Sequence, residues 1–136
     1  MAFQDCRELT SIRIPDGVTD ISDSIFRFCS SLENVILPEG INEIGVNTFC
    51  RCSSLTTVNI PSSVKVIGAY AFSECGSLTQ LNIPKGVEGI GAFAFDGCKE
   101  LQINYEGTTS EWDAIKKDDK WKGGLNIAIE CTDTAH

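Results

Sequence analysis

Seven cysteines are the first candidates for chemistry in this chain, since thiols cross-link, bind metals and attack electrophiles. Five of them, Cys6, Cys29, Cys52, Cys75 and Cys98, fall 23 residues apart. In a stacked repeat such positions lie above one another on neighbouring parallel strands, ~4.8 Å apart. That Cα separation is within disulfide range, but side chains pointing the same way do not easily reach a Cβ–S–S–Cβ dihedral of about 90°. The five are therefore expected to be a ladder of buried thiols, small and apolar. Cys50 and Cys131 stand outside it. Cys50-Arg51-Cys52 lacks the spacing of a zinc or redox CxxC motif, and an exposed, oxidisable Cys50 is one reading of its position.

Other chemistry has little to draw on. The single histidine is His136, the last residue, so the body of the fold offers no Ser-His or Cys-His nucleophile. Neither phosphate-cradling glycine motif occurs, and Gly45, Gly68 and Gly91 read as turn glycines. Asp16, Asp20 and Asp23 could crowd one turn as calcium ligands do. Nothing at the equivalent later positions repeats them, so a solvated surface is the reading. No catalytic residues, metal ligands or cofactors are assigned, and an enzyme would need convergent titratable groups in a cleft.

The elements that position these residues follow from the same step of 23. Phe3, Phe26, Phe49, Phe72 and Phe95 keep it, as do Leu9, Leu32, Leu55, Leu78 and Leu101. Pro15, Pro38, Pro61 and Pro84, and Ile21, Ile44, Ile67 and Ile90, complete the register. Self-similarity at such a period marks a solenoid, whose units bury their apolar side chains only by stacking.

With C-x-x-L-x-x-φ-x-φ-P-x-G-φ-x-x-I-G-x-x-A-F-x-x as its unit (φ aliphatic), the chain resembles the BspA-type leucine-rich repeat of bacterial surface proteins over roughly residues 1–105. Tyr105-Glu106-Gly107-Thr108, Glu111-Trp112 and Cys131-Thr132-Asp133 resemble the element that closes such arrays. The fold class expected is an α/β-type repeat solenoid with short parallel strands, single helical or 3₁₀ turns and about five rungs. Residues 1–105 form the solenoid and 106–136 a helix-and-strand C-terminal cap.

Within a rung, Leu55, Val58 and Ile60 alternate with polar residues, which predicts a strand. Pro61, with glycine two residues after the proline in neighbouring repeats, turns the chain. Val64, Val66 and Ile67 predict a second apolar strip, and Ala71-Phe72-Ser73-Glu74-Cys75 a single helical or 3₁₀ turn. Leu101–Tyr105 is one residue short and lacks the proline, so the array stops there. Thr108 and Glu111 have capping-box spacing for a short helix, with Lys116 and Lys117 in its last turn. Leu125, Ile127 and Ile129 then alternate as a final strand. Trp112 and Trp121 are read as the lid on the core, with an aromatic ligand box as the alternative.

A net charge of −8 and a pI near 4.5 lack the cationic footprint that nucleic acid or an anionic membrane requires. No apolar run approaches the ~20 residues of a transmembrane helix. No signal peptide is visible. Met1-Ala2 runs into Phe3, already the end of a repeat, so the chain is expected to belong to a longer array. The first rung has no cap, and end-to-end self-association through its bare strand edge is expected.

The outward positions of the first strand are free to vary. They are mostly small and polar, and Arg13, Glu33, Asn34, Ile36, Thr57, Asn59, Gln80 and Asn82 are the candidate binding face. Ile36 is its aliphatic anchor. What the resemblance implies is a cell-surface or secreted adhesion module for host or matrix protein or glycan. A structural stalk with no ligand of its own is the alternative.

Overall fold

The computed structural model describes residues 6–21 and 23–133; Phe3, Ser22 and His136 lie outside them. Ten short strands and one helix follow in order: β1 Ser11–Arg13, β2 Asn34–Ile36, β3 Glu43–Ile44, β4 Thr57–Val58, β5 Val66–Ile67, β6 Gln80–Ile83, β7 Gly89–Ile90, β8 Gln102–Tyr105, α1 Thr109–Ala114, β9 Lys116–Lys117 and β10 Ala128–Glu130. All strand pairs are parallel. One side of the coil carries β1-β2-β4 and then β6-β8-β10, and the other carries β3-β5-β7-β9. Register follows the repeat, Ile12 on Val35 on Val58 and Ile44 on Ile67 on Ile90. At the shortened rung the step falls to 22, with Leu81 on Ile103.

The core is a set of columns. Phe26, Phe49, Phe72 and Phe95 are fully buried, and their rings stack at 5.5, 5.3 and 5.5 Å between centroids. Those spacings suit offset aromatic stacking. Leu32, Leu55 and Leu78 form a second column with no exposure. Val66 departs from the expected apolar strip. It is 40% exposed, because inward and outward positions alternate along β5 and Ile67 takes the inward one.

The corner expected as a helical or 3₁₀ turn is a run of hydrogen-bonded turns. Between Asn47 and Cys52 the backbone donors alternate in destination. Thr48, Cys50 and Cys52 donate three residues back, to Gly45, Asn47 and Phe49; Asn47, Phe49 and Arg51 donate to Ala69, Ala71 and Ser73 of the next rung. Every donor in that stretch is used, as buried backbone requires. The geometry places two residues per corner in the left-handed region: Ser24 and Phe28, Asn47 and Arg51, then Tyr70 and Glu74. Phe93 and Gly97 continue the two columns.

The Gly45, Gly68 and Gly91 column is not one of turn glycines. None has a positive φ, whereas Gly17 and Gly40, after the prolines, have φ of 98° and 103°. A Cβ on Gly68 would lie 2.9 Å from the backbone of Gly45 and Val46, so these glycines let neighbouring rungs approach.

The thiol ladder has a second function within the fold. Cys52, Cys75 and Cys98 donate their S–H to the carbonyls of Phe26, Phe49 and Phe72 in the preceding rung at 3.0–3.1 Å. Burial pushes the Cys52 and Cys98 pKa values from 9.0 to about 12, and Cys75 well above 9.0.

Both sheets run past residue 105, through β9 and β10. Thr108 and Glu111 form the expected capping box. Lys116 and Lys117 are not in the helix's last turn but form β9. Lys117 still serves the helix end, its Nζ donating to the Trp112 and Ile115 carbonyls at 2.8 and 3.1 Å. Burial lowers its pKa. Trp121 meets Phe95 edge-on at 5.9 Å, and Trp112 and Trp121 are both buried against the last rung. Among the described residues no helix is long and apolar enough to cross a membrane.

Candidate functional site

All eight candidate residues of the first-strand side are exposed, because alternation along β1, β2, β4 and β6 turns Ile12, Val35, Val58 and Leu81 inward. The structure does not hold the eight as one group. Asn34, Ile36, Thr57 and Asn59 line a shallow groove of about 590 Å³ with Ser11, Val35 and Val58. Ile36 is 48% exposed and is the most exposed apolar side chain of that groove. Gln80 and Asn82 lie across the interruption between β4 and β6. Arg13 sits at the outer edge and contributes to an apolar hollow over the first rung. The Glu33 carbonyl accepts from the Thr56 and Thr57 amides and the Thr56 hydroxyl.

Much of the polar surface is internally bonded. The Thr57 hydroxyl donates to the Asn34 carboxamide oxygen at 2.6 Å. The Asn59 carboxamide accepts from the Leu37 N–H at 2.9 Å and donates to the Leu37 carbonyl at 3.2 Å. Asn59 is thus a clamp on the neighbouring rung. Beyond the interruption, within β6-β8-β10, the Asn104 amide donates to Gln80 at 2.8 Å and Asn82 at 3.2 Å, and Gln102 donates to Glu130 at 3.0 Å. Gln102, Asn104 and Glu130 extend the face and escaped the sequence reading, since the shortened rung shifts them out of the 23-residue column.

Cys50 is not exposed. It is 7% accessible, and burial raises its pKa while Arg27 and Arg51 pull it down. It occupies one column with Arg27, Ser73 and Asp96, again 23 residues apart. The Asp23 carboxylate accepts the Val46 N–H at 3.0 Å, and among the described residues no three His, Cys, Asp or Glu side chains converge as metal ligands.

A parallel coil with strands on two sides, phenylalanine and leucine columns and a helical closing element defines a leucine-rich-repeat solenoid. The chain belongs to the BspA-type leucine-rich-repeat family, whose model matches residues 1–114 in six copies. It is similar to a leucine-rich cell surface protein of Faecalibacterium prausnitzii, 34% identical, with a TM-score of 0.84 over 87% of this chain and 31% of that one. It is also similar to a T. pallidum leucine-rich-repeat protein, 38% identical, with a TM-score of 0.73 over 76% of this chain and 49% of that one. A leucine-rich-repeat protein of Eubacterium ventriosum shares the fold at 23% identity, with a TM-score of 0.74 over 99% of this chain and 34% of that one. The chain therefore spans less than half the length of these three structures. A comparison with curated proteins finds no match.

Proposed function

We propose that this chain is a non-enzymatic binding module of a bacterial cell-surface or secreted protein, and that it recognises protein or glycan on its first-strand side. The observation that carries the reading is the groove of Asn34, Ile36, Thr57 and Asn59 on an extended polar surface. An exposed aliphatic side chain framed by carboxamides and hydroxyls suits ligands that present both an apolar patch and hydrogen-bonding groups. Support for the location comes from the Faecalibacterium relative, described as a cell surface protein. The family fold is generally non-catalytic, in keeping with a binding role.

A second reading, a structural spacer, is favoured by a specific observation. Asn34, Thr57, Asn59, Gln80, Asn82 and Asn104 already bond one another or the backbone, as a sheet surface with no ligand would. Binding to an immobilised panel of matrix proteins and glycans separates the two. A binding module gives a hit that the Thr57→Arg/Gln80→Arg variant abolishes. No hit by a folded, monodisperse chain shifts the weight to the spacer.

A further inference from the structure

The corner of the coil carries a further concavity, away from the first-strand side, and the order of its charges is informative. Arg27, Asn47, Cys50, Arg51, Tyr70, Ser73, Glu74 and Asp96 line about 310 Å³. Successive corners contribute Arg27, then Arg51, then Glu74, then Asp96. The two signs do not neutralise each other. Among the described residues the ion pair found is Lys85–Glu111, at 3.2 Å and outside this pocket.

The side chains lean apart. The Arg27 and Arg51 guanidinium carbons lie 4.5 and 5.5 Å from the Phe28 ring centroid, at the N-terminal end of the pocket. The Arg27 Nε is buried and has no hydrogen-bond partner, and a buried donor left unmet is unfavourable. At the other end, Glu74 lies over Gly97, where a Cβ would come 2.7 Å from its Oε2, and Asp96 lies over Gly123. The missing side chains of Gly97 and Gly123 are what let the two carboxylates turn away from the arginines. Between the ends lie neutral groups: the Cys50 thiol, Ser73, Asn47 and the exposed face of Tyr70, whose ring stacks on Phe93 at 5.2 Å.

We propose that this corner pocket binds a short extended peptide segment carrying a carboxylate and, further along, an ammonium or guanidinium group. The carboxylate sits on the guanidinium groups of Arg27 and Arg51 in the charge-assisted geometry that arginine favours. The cation sits between Glu74 and Asp96. From the Phe28 corner to the Gly97 corner is three rungs, about 14 Å at the strand spacing, which an extended chain covers in about four residues. A polyanion is disfavoured because it would run from the arginines onto the two carboxylates.

The test uses the full chain and three blocked peptides, Glu-Gly-Gly-Lys, Glu-Gly-Gly-Glu and Lys-Gly-Gly-Lys, followed by amide chemical shifts. The expected result is saturable shifts at residues 47–51 and 70–74 with the mixed-charge peptide alone. Arg51→Ala and the isosteric Glu74→Gln should each weaken it at least tenfold, with spectra that report whether each variant is folded. Thr57→Arg/Gln80→Arg should leave it unchanged, so the outcome is independent of binding on the first-strand side. Equal binding of Glu-Gly-Gly-Glu, or no saturable shift with any peptide, overturns the proposal.

Discussion

A cysteine in this fold is a hydrogen-bond donor before it is a nucleophile. Cys52, Cys75 and Cys98 each tie one rung to the phenylalanine carbonyl of the preceding one, and burial holds them protonated. In the unfolded chain they ionise from about pH 8.5, while in the fold Cys52 and Cys98 wait until about 12. A folded pKa raised above the unfolded one stabilises the protein fully below the unfolded pKa, and that contribution is lost as pH rises through the folded one. The unfolding free energy from urea titrations should therefore hold steady through neutrality and fall between about pH 9 and 12, by about 1.4 kcal/mol per pH unit for each such thiol. Cys75→Ala should flatten the fall. Thiolate absorbance near about pH 8.5 in the folded chain that is lost on Cys52→Ala, Cys75→Ala or Cys98→Ala would sink this account.

At the scale of the element, the corner glycines set how closely rungs stack. Gly68→Ala places a methyl group 2.9 Å from two backbone atoms of the neighbouring rung, and overpacking of that kind costs roughly 1–3 kcal/mol. Gly76→Ala, with open space around it and no positive φ, should be nearly neutral in the same thermal melts. This is also where the sequence was only half legible. Columns of Phe, Leu and Ile at a step of 23 were plain, because full burial dictates residue type. The left-handed positions were silent. Type II turns usually advertise that position with glycine or asparagine, but here only Asn47 and Gly97 do so, and Ser24, Arg51, Tyr70 and Glu74 also occupy it, held there by hydrogen bonds to the next rung. Asn59 and Asn82 look equivalent in sequence, yet Asn59 turns to the backbone and Asn82 to Asn104. The exposure of the eight face residues could be read from alternation; the interruption between β4 and β6 could not, because the repeat length does not change there.

At the scale of the whole molecule the two ends differ. Trp112 and Trp121 close the C-terminal end, while among the described residues β1 pairs with β2 alone. Over the first rung, Ile12, Ile14, Pro15, Val18, Ile21 and Ile25 line an apolar hollow of about 400 Å³. We propose that this end pairs with a rung of a second copy, as exposed strand edges tend to do. Sedimentation velocity should show concentration-dependent association. Salt should strengthen it by screening the net charge of −8, and Ile12→Lys should abolish it. A monomer at all concentrations and salts refutes the pairing.

The direction of the inter-rung bonds has a mechanical consequence. Those of the strands and of the corners run along the coil axis, so tension between the chain's ends opens them one rung at a time instead of loading them together in shear. Each rung that lets go releases roughly 75 Å of extended chain, while the rungs behind it keep their stacked phenylalanines. On the first-strand side no strand pairing joins β4 to β6, and the coil is expected to part there first. A tethered array of such units would lengthen in steps under flow and recoil when the pull ceases, a shock absorber whose stroke is set by the 23-residue repeat.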